Sequence, residues 1–152
     1  MSETDLAEWA KREPNEFAKA VKAASKDEIA EAMRGGESRQ TILSEVFGRY
    51  PGQFRPDRAG SLNAVIHWNI TGREDGGTDT FELVIANGTC TLSPSPEHTD
   101  PKVAITVSGA DLLNLIGGRS NPMMMFMTGK LKAKGDLGLA ANLDKIFELP
   151  RV

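Results

Sequence analysis

The chain has 152 residues and a formal net charge of −3, with 39% hydrophobic and 26% charged residues. This composition excludes a disordered chain, and the length suits one domain with a sizeable core. The balance of charges gives no reason to expect nucleic acid as a partner, since that binding depends on a strongly basic face.

The chain carries no sign of secretion or of membrane insertion. Its longest run of methionine- and leucine-type residues, 123–127, is far shorter than the roughly 20 apolar residues of a membrane span. The segment 1–5 is acidic, with Glu3 and Asp5, and the apolar region of a signal peptide does not follow it. Cys90 is the only cysteine, so no internal disulfide can form. We therefore expect a cytoplasmic protein.

The first third of the chain is predicted to be helical. Ser2 with Asp5, and Ser25 with Glu28, have the spacing of residues that cap the start of a helix. Residues 1–37 contain nine acidic and six basic side chains. We interpret them as an acidic helical extension that precedes a main domain formed by residues 38–152.

From Leu62 the apolar residues alternate with the period of a half-buried strand. Similar alternation recurs at 81–85 and 103–107, and Asn87-Gly88 is typical of a tight hairpin turn. The simplest interpretation of residues 62–108 is a meander of four antiparallel strands.

Short elements are predicted to complete the chain. Ser108 can cap one apolar helix, and Asn121-Pro122 can begin another. Residues 130–134 alternate lysine with apolar residues, which predicts a strand with a charged outer face. A single closing helix is predicted to begin near Asp136.

No catalytic, metal-binding or phosphate-binding motif accompanies these elements. Cys90 shares a predicted strand face with Leu92, whereas His67 alternates onto a polar face, so a cysteine–histidine dyad is not expected. We interpret Cys90 as a small buried hydrophobe and His67 as a surface or hydrogen-bonded histidine. The sequence therefore predicts neither an enzyme nor a protein with a cofactor or metal.

A methionine cluster is the most unusual feature of the composition. Four of the six methionines lie within residues 123–127. Methionine is unbranched and polarisable, so a surface made from it can repack around ligands of different shape. Ordinary core packing explains the cluster equally well from composition alone.

The order of elements and the segment Asn121 to Asp136 resemble the sterol carrier protein family, as a small stand-alone bacterial-type member. The resemblance runs from about Ile42 to Phe147 and is carried by "LNAVIHWNITG", "NGTCTL", "GADLLNLIGG", "FMTGKLKAKGD" and "LGLAANL". It implies an α+β fold in which helices cover one face of a five-stranded, mostly antiparallel sheet. It also implies an apolar tunnel that accepts a sterol, a fatty acid or an acyl ester. Two departures, Met125 and Ala133, imply a reshaped tunnel.

The resemblance implies that apolar residues of the first strand, the short helices and the closing helix line this tunnel. The predicted ligand-binding residues are Ile66, Trp68, Leu112, Leu115, Ile116, Met123, Met124, Phe126, Met127, Leu139, Leu143 and Phe147. Burial of an apolar ligand, at about 25 cal/mol per Å², would then supply the binding free energy without a chemical step.

Two questions about partners stay open at this point. The fold also resembles dimerisation or accessory modules whose core is filled by their own side chains, which would make the chain a homodimer or interaction module. Residues 112–152 contain six basic and three acidic side chains, which favours transient contact with an anionic membrane surface. A solvated strand face would explain the same charges.

Overall fold

A computed structural model describes residues 6–93 and 95–147, so the predicted cap at Ser2 and Asp5 lies outside the described residues. Within this range, helices precede the sheet, and the capping box at Ser25 is confirmed. Ser25 Oγ accepts a hydrogen bond from the Glu28 N–H at 3.1 Å, and the Glu28 carboxylate accepts one from the Ser25 N–H at 2.9 Å. These helices are α1 (Leu6–Ala10), α2 (Pro14–Ala23), α3 (Lys26–Ala32), α4 (Gly36–Gly48), α5 (Tyr50–Gln53) and α6 (Pro56–Ala59).

The sheet has five strands in the order β3-β2-β1-β4-β5, and most of its pairings are antiparallel, as expected. The Asn87-Gly88 hairpin is confirmed, with φ of 53° and 75°, the positive values that this two-residue turn requires. The strands are β1 (Ala64–Thr71), β2 (Asp79–Ala86), β3 (Thr89–Ser93), β4 (Val103–Ser108) and β5 (Leu131–Gly135).

The predicted antiparallel meander over residues 62–108 is wrong in one respect. β4 pairs with β1 in parallel, from Ile66 opposite Val103 to Thr71 opposite Ser108. The chain therefore leaves the β3 edge and crosses the sheet before it forms β4. Alternation of apolar residues reports which face a side chain occupies, and it is the same for parallel and antiparallel strands.

The closing segment forms two short helices instead of the single helix that was predicted. The first ends at Ala141, and Asn142 then donates a hydrogen bond from Nδ2 to the Gly138 carbonyl at 2.9 Å. Asparagine favours such local bonds over continued helix. Phe147 leaves the helix to form an antiparallel bridge with Phe54. The helices after β4 are α7 (Gly109–Ile116), α8 (Pro122–Met127), α9 (Leu137–Ala141) and α10 (Leu143–Ile146).

The helices cover one face of the sheet, and one apolar core joins the two layers. Leu6, Phe17 and Ile29, from the predicted extension, are buried in the same cluster as Ile66 and Leu83 of the sheet. The division of the chain at residues 37 and 38 stays a prediction.

Arg39 links the N-terminal helices to the sheet from a buried position in α4. Its Nε donates to Asp79 Oδ2 at 2.9 Å, Nη1 to the Met33 carbonyl at 2.9 Å and Nη2 to the Ile70 carbonyl at 2.8 Å. A buried charge is tolerated only when it is paired and hydrogen-bonded, and Arg39 meets both conditions.

Candidate functional site

A cavity of about 530 Å³ lies between the helical layer and the sheet. Its size falls within the roughly 300–1,000 Å³ of small-molecule sites. Every layer of the fold contributes to its wall. The lining residues are Pro14, Phe17, Val46, Arg49, Tyr50, Gln53, Trp68, Ile105, Leu112, Leu115, Ile116, Pro122, Met123, Phe126, Leu131, Ala133, Leu137, Ala140, Ala141, Leu143 and Phe147.

Three neighbouring strands form the floor of the cavity. Trp68 on β1 lies opposite Ile105 on β4, and Ile105 lies opposite Ala133 on β5. Paired residues of adjacent strands point to the same face, so these three side chains form one row that decreases in size toward the sheet edge. Ala133 therefore leaves space at the β5 end of the floor.

Aromatic rings line the cavity beside Trp68, at the other end of this row. Tyr50 meets Phe147 edge to face, with ring centroids 5.1 Å apart, and lies 6.2 Å from Trp68. Behind them, Phe47 stacks on Phe81 at 4.4 Å. Such contacts favour a defined arrangement of the rings, so this end of the cavity has a fixed shape.

Few polar groups reach the cavity. Arg49 is the one formally charged side chain among the described lining residues, and its Nη2 donates to the backbone carbonyls of Ala10 and Arg12. Burial raises the pKa of the Tyr50 hydroxyl, which therefore stays neutral at physiological pH. The described lining residues include no histidine and no carboxylate.

The structure brings eight of the twelve predicted ligand-binding residues to this cavity. They are Trp68, Leu112, Leu115, Ile116, Met123, Phe126, Leu143 and Phe147. The other four lie elsewhere: Ile66 is fully buried in the core, Leu139 packs partly buried against it, and Met124 and Met127 are 57% and 73% exposed.

Sequence reasoning missed several lining residues, including Phe17, Tyr50, Ile105 and Leu131, whereas Ala133 was named as a residue that reshapes the tunnel. The strand residues among them lie on β4 and β5, and the alternation of apolar residues gives only the face of the strand on which each one lies. They come to the same face of the sheet as Trp68 because β4 pairs in parallel with β1 and β5 pairs with β4. Phe17 is buried on α2 together with Ala18 and Val21, and the sequence gives no signal that this helix reaches a cavity.

A polar cluster lies on the face of the sheet opposite the cavity, centred on the fully buried Glu82. His67 Nε2 is 2.9 Å from Glu82 Oε2, and His98 Nδ1 is 3.0 Å from Glu82 Oε1. The backbone N–H groups of Glu97 and His98 also donate to this carboxylate. His67 is thus hydrogen-bonded, one of its two predicted alternatives.

The Glu82 cluster is an anchor for the chain that crosses the sheet. Burial favours the neutral carboxyl, but the hydrogen bonds from His98, His67 and the backbone outweigh it and lower the pKa of Glu82 to about 2. The ionised carboxylate thereby holds residues 97 and 98 against the outer face of the sheet. No signal in the sequence pairs these residues, because the contact depends on the crossover.

Cys90 lies on the other face from His67, so the two form no dyad. Burial raises the pKa of the Cys90 thiol to about 11, which keeps it protonated. No group of three histidine, cysteine or acidic side chains that could hold a metal occurs in the described part of the chain. In that same part, every helix is too short or too polar to cross a bilayer.

Comparison with curated proteins gives partial matches to longer chains. Hydroxysteroid dehydrogenase-like protein 2 of Danio rerio is 31% identical over 107 residues, which cover 70% of this chain and 25% of the relative. The Bos taurus protein of the same name is 30% identical over 111 residues, covering 73% of this chain and 26% of the relative. The chain thus spans about a quarter of the length of these relatives.

Solved structures confirm the predicted fold. Sterol Carrier Protein 2 from Yarrowia lipolytica, in its apo form, superposes with a TM-score of 0.57 at 24% identity, covering 75% of this chain and 94% of that one. Palmitated SCP2L2 from Aedes aegypti gives 0.55 at 21% identity, with 74% and 96% covered. At such identities the likeness shows the fold alone.

The sequence resemblance is confirmed by a family model, described as the SCP-2 sterol transfer family, that matches residues 47–148. This match includes the strands, the floor of the cavity and most of its wall. Since the match covers more than half of its length, the chain belongs to the SCP-2 sterol transfer family.

Proposed function

We propose that this chain is a non-enzymatic carrier that binds one apolar, lipid-like molecule in the cavity between sheet and helices. The observation that carries the proposal is an apolar cavity of about 530 Å³ with one formally charged side chain among its described lining residues. The ligand class is a sterol, a fatty acid or an acyl ester. The family's description and the palmitated insect protein support this class.

Burial of the ligand supplies the binding free energy. A molecule that buries roughly 500 Å² of apolar surface gains about 12 kcal/mol. An association cost of about 4 kcal/mol leaves about 8 kcal/mol, which corresponds to micromolar affinity. Apolar contacts discriminate poorly between ligands that differ by a methylene, so specificity is loose.

Ligand contact is proposed for the eight predicted residues that line the cavity. Three of them define its shape: Trp68 in the floor, Phe147 at the aromatic end and Phe126 on α8. Ile66 and Leu139 support this lining from the adjoining core. Cytoplasmic location is part of the same proposal, supported by the buried, unpaired thiol of Cys90.

The dehydrogenase-like names of the curated relatives do not transfer to this chain. Three-quarters of each relative lies outside the match. A carrier without enzymatic activity fits a cavity whose described lining residues include neither histidine nor carboxylate side chains. The dimerisation or accessory module, by contrast, requires a core filled by its own side chains, and a cavity of about 530 Å³ favours the carrier.

Two measurements test the carrier function. Titration with a fluorescent fatty acid and a fluorescent sterol analogue should show saturation at one site with micromolar or tighter affinity. Organic extraction of the purified protein, followed by mass spectrometry, should release a co-purified lipid. Flat titrations with every acyl and sterol probe up to its solubility limit would reject the function.

A further inference from the structure

Large apolar side chains are exposed in one region of the described chain. They are Met123, Met124, Phe126, Met127 and Leu137, with exposures of 66%, 57%, 46%, 73% and 53%. We call these five residues the apolar rim. Contiguous apolar surface of this kind on a soluble protein indicates an interaction site.

The apolar rim is continuous with the cavity. Met123, Phe126 and Leu137 belong both to the rim and to the cavity lining. Their side chains therefore face solvent on one side and the ligand space on the other. Whatever covers the rim lies at the mouth of the cavity.

Basic residues flank the apolar rim. Between Asp111 and Asp136 the chain has no acidic residue and four basic ones, although its overall charge is −3. Lys130, Lys132 and Lys134 are exposed and form no ion pair with the described residues. The Lys130 N–H donates to the Met125 carbonyl at 2.9 Å, which holds the first of these lysines against α8.

The other two lysines lie on β5, which among the described strands pairs only with β4 and is therefore an edge of the sheet. Ala133 lies between them and faces the cavity, so Lys132 and Lys134 project from the opposite face of this edge. The sheet edge thus has apolar rim residues on one side and lysines on the other. From this edge the long side chains of Lys132 and Lys134 can extend to the plane of the apolar rim.

We infer that the apolar rim docks on an anionic lipid bilayer, with its methionines and Phe126 in the acyl boundary and the three lysines among the head groups. Apolar residues beside lysines are the pattern of interfacial membrane binding. The inference rests on the proposed carrier function and adds the route by which a lipid passes between bilayer and cavity.

A second copy of the chain suits the rim less well. A two-fold contact places the same patch of both copies face to face, which would bring six lysines to one interface. The neighbouring carboxylate, Asp136, already lies 3.9 Å from Lys102. Anionic head groups neutralise the same lysines. The charge around the rim therefore favours the bilayer.

The test uses the ligand-free full chain and sedimentation with vesicles. Vesicles of phosphatidylcholine with phosphatidylserine should bind the protein more tightly than vesicles of phosphatidylcholine alone, and added salt should weaken the binding. Each lysine near an anionic surface contributes about a fivefold change in partition. The variant Lys130→Gln/Lys132→Gln/Lys134→Gln should therefore lose up to about a hundredfold, and at least about tenfold, in partition onto the anionic vesicles.

A matched control removes three exposed lysines from the N-terminal helices, as Lys19→Gln/Lys22→Gln/Lys26→Gln. This control has the same net charge as the test variant and should retain vesicle binding within about twofold, because its lysines stand among acidic residues. Met124→Gln/Met127→Gln should weaken binding, whereas Met124→Leu/Met127→Leu should preserve it.

Three results would overturn the inference: equal binding to both vesicle types, equal losses from the two lysine variants, or equal behaviour of the glutamine and leucine variants. A concentration-dependent dimer that Met124→Gln/Met127→Gln dissociates, without vesicle binding by the wild type, would assign the rim to a second copy. The lysine variant should bind the fluorescent fatty acid in solution as the wild type does. If the wild type binds the fluorescent fatty acid but not the vesicles, docking is rejected and the carrier function stands. If it binds the vesicles but not the fatty acid, the carrier function is rejected.

Discussion

Glu82 shows how a single buried carboxylate can hold a chain crossing in place. It accepts hydrogen bonds from two histidines and from two backbone N–H groups of the segment that crosses the sheet. A carboxylate with this many donors is worth more to the fold in its ionised form than in its neutral form.

The pH dependence of stability follows from the pKa of Glu82, which is lowered from 4.5 to about 2. A lowered pKa means that the stabilisation is fully present above pH of about 4.5 and is lost as pH falls toward about 2. Glu82→Gln should reduce the free energy of unfolding at pH 7 by about 2 kcal/mol, because charge-assisted hydrogen bonds are lost.

Urea denaturation of wild type and Glu82→Gln at a series of pH values measures this effect. The difference between the two proteins should shrink as pH falls from about 4.5 toward about 2, the range in which Glu82 of the wild type becomes protonated. Glu97→Gln serves as the control, since its side chain is exposed and should change stability little. If the difference in unfolding free energy between wild type and Glu82→Gln stayed constant to low pH, the ionised Glu82 carboxylate would not be the source of the stabilisation.

At the scale of elements, local signals in the sequence predicted individual helices and strands well. The Ser25 and Ser108 caps and the Asn87-Gly88 turn all depend on residues a few positions apart, and all are present. The direction of β4 could not be predicted in this way. It depends on a pairing between strands that are far apart in the chain.

Helix α8 shows the same limit for the site. All its methionines but Met125 were predicted to bind ligand, yet Met125 is the buried one, at 3% exposure. A six-residue helix presents one narrow face to the core, and composition does not reveal which face that is. The family resemblance indicated which elements form the cavity wall. Which side chains of those elements line the cavity depends on the three-dimensional packing.

Ala133 allows the cavity floor to be tested at the scale of the β5 strand. Ala133→Leu adds bulk to an empty space, which should lower probe affinity by about tenfold or more at little cost in stability, whereas overpacking a filled core costs about 1–3 kcal/mol. Ala104→Leu is the matched control, because Ala104 lies on the neighbouring strand with its side chain on the opposite face.

Fluorescent fatty acid titration and thermal unfolding of both variants make the comparison. Loss of stability with unchanged affinity in Ala133→Leu would show that this end of the floor is packed core. Equal loss of affinity in Ala104→Leu would place the ligand outside the cavity.

At the scale of the whole molecule, the cavity joins distant parts of the chain. Phe17 and Tyr50 reach it from helices before the sheet, and Leu143 reaches it from a helix after the sheet. A ligand in this position contacts both layers at once. The free energy of ligand binding therefore adds to the free energy of unfolding of the whole fold.

Thermal unfolding with saturating ligand measures that coupling. A fatty acid at about 100 times its Kd adds about 2.7 kcal/mol to the free energy of unfolding. For a domain of this size the melting temperature should rise by about 5–10 °C. Ala133→Leu at the same ligand concentration should gain clearly less. A wild-type Tm unchanged by a ligand that still binds would place that ligand on the surface.

The cavity wall is completed late along the chain. Helices α9 and α10 supply one side of it, and the bridge between Phe54 and Phe147 ties that side to the segment after α5. Ribosomes release a chain at about 5–20 residues per second, so the floor and the first helices emerge before this wall. During that interval the apolar interior is open, so under the proposed carrier function a lipid can enter before α9 and α10 complete the wall.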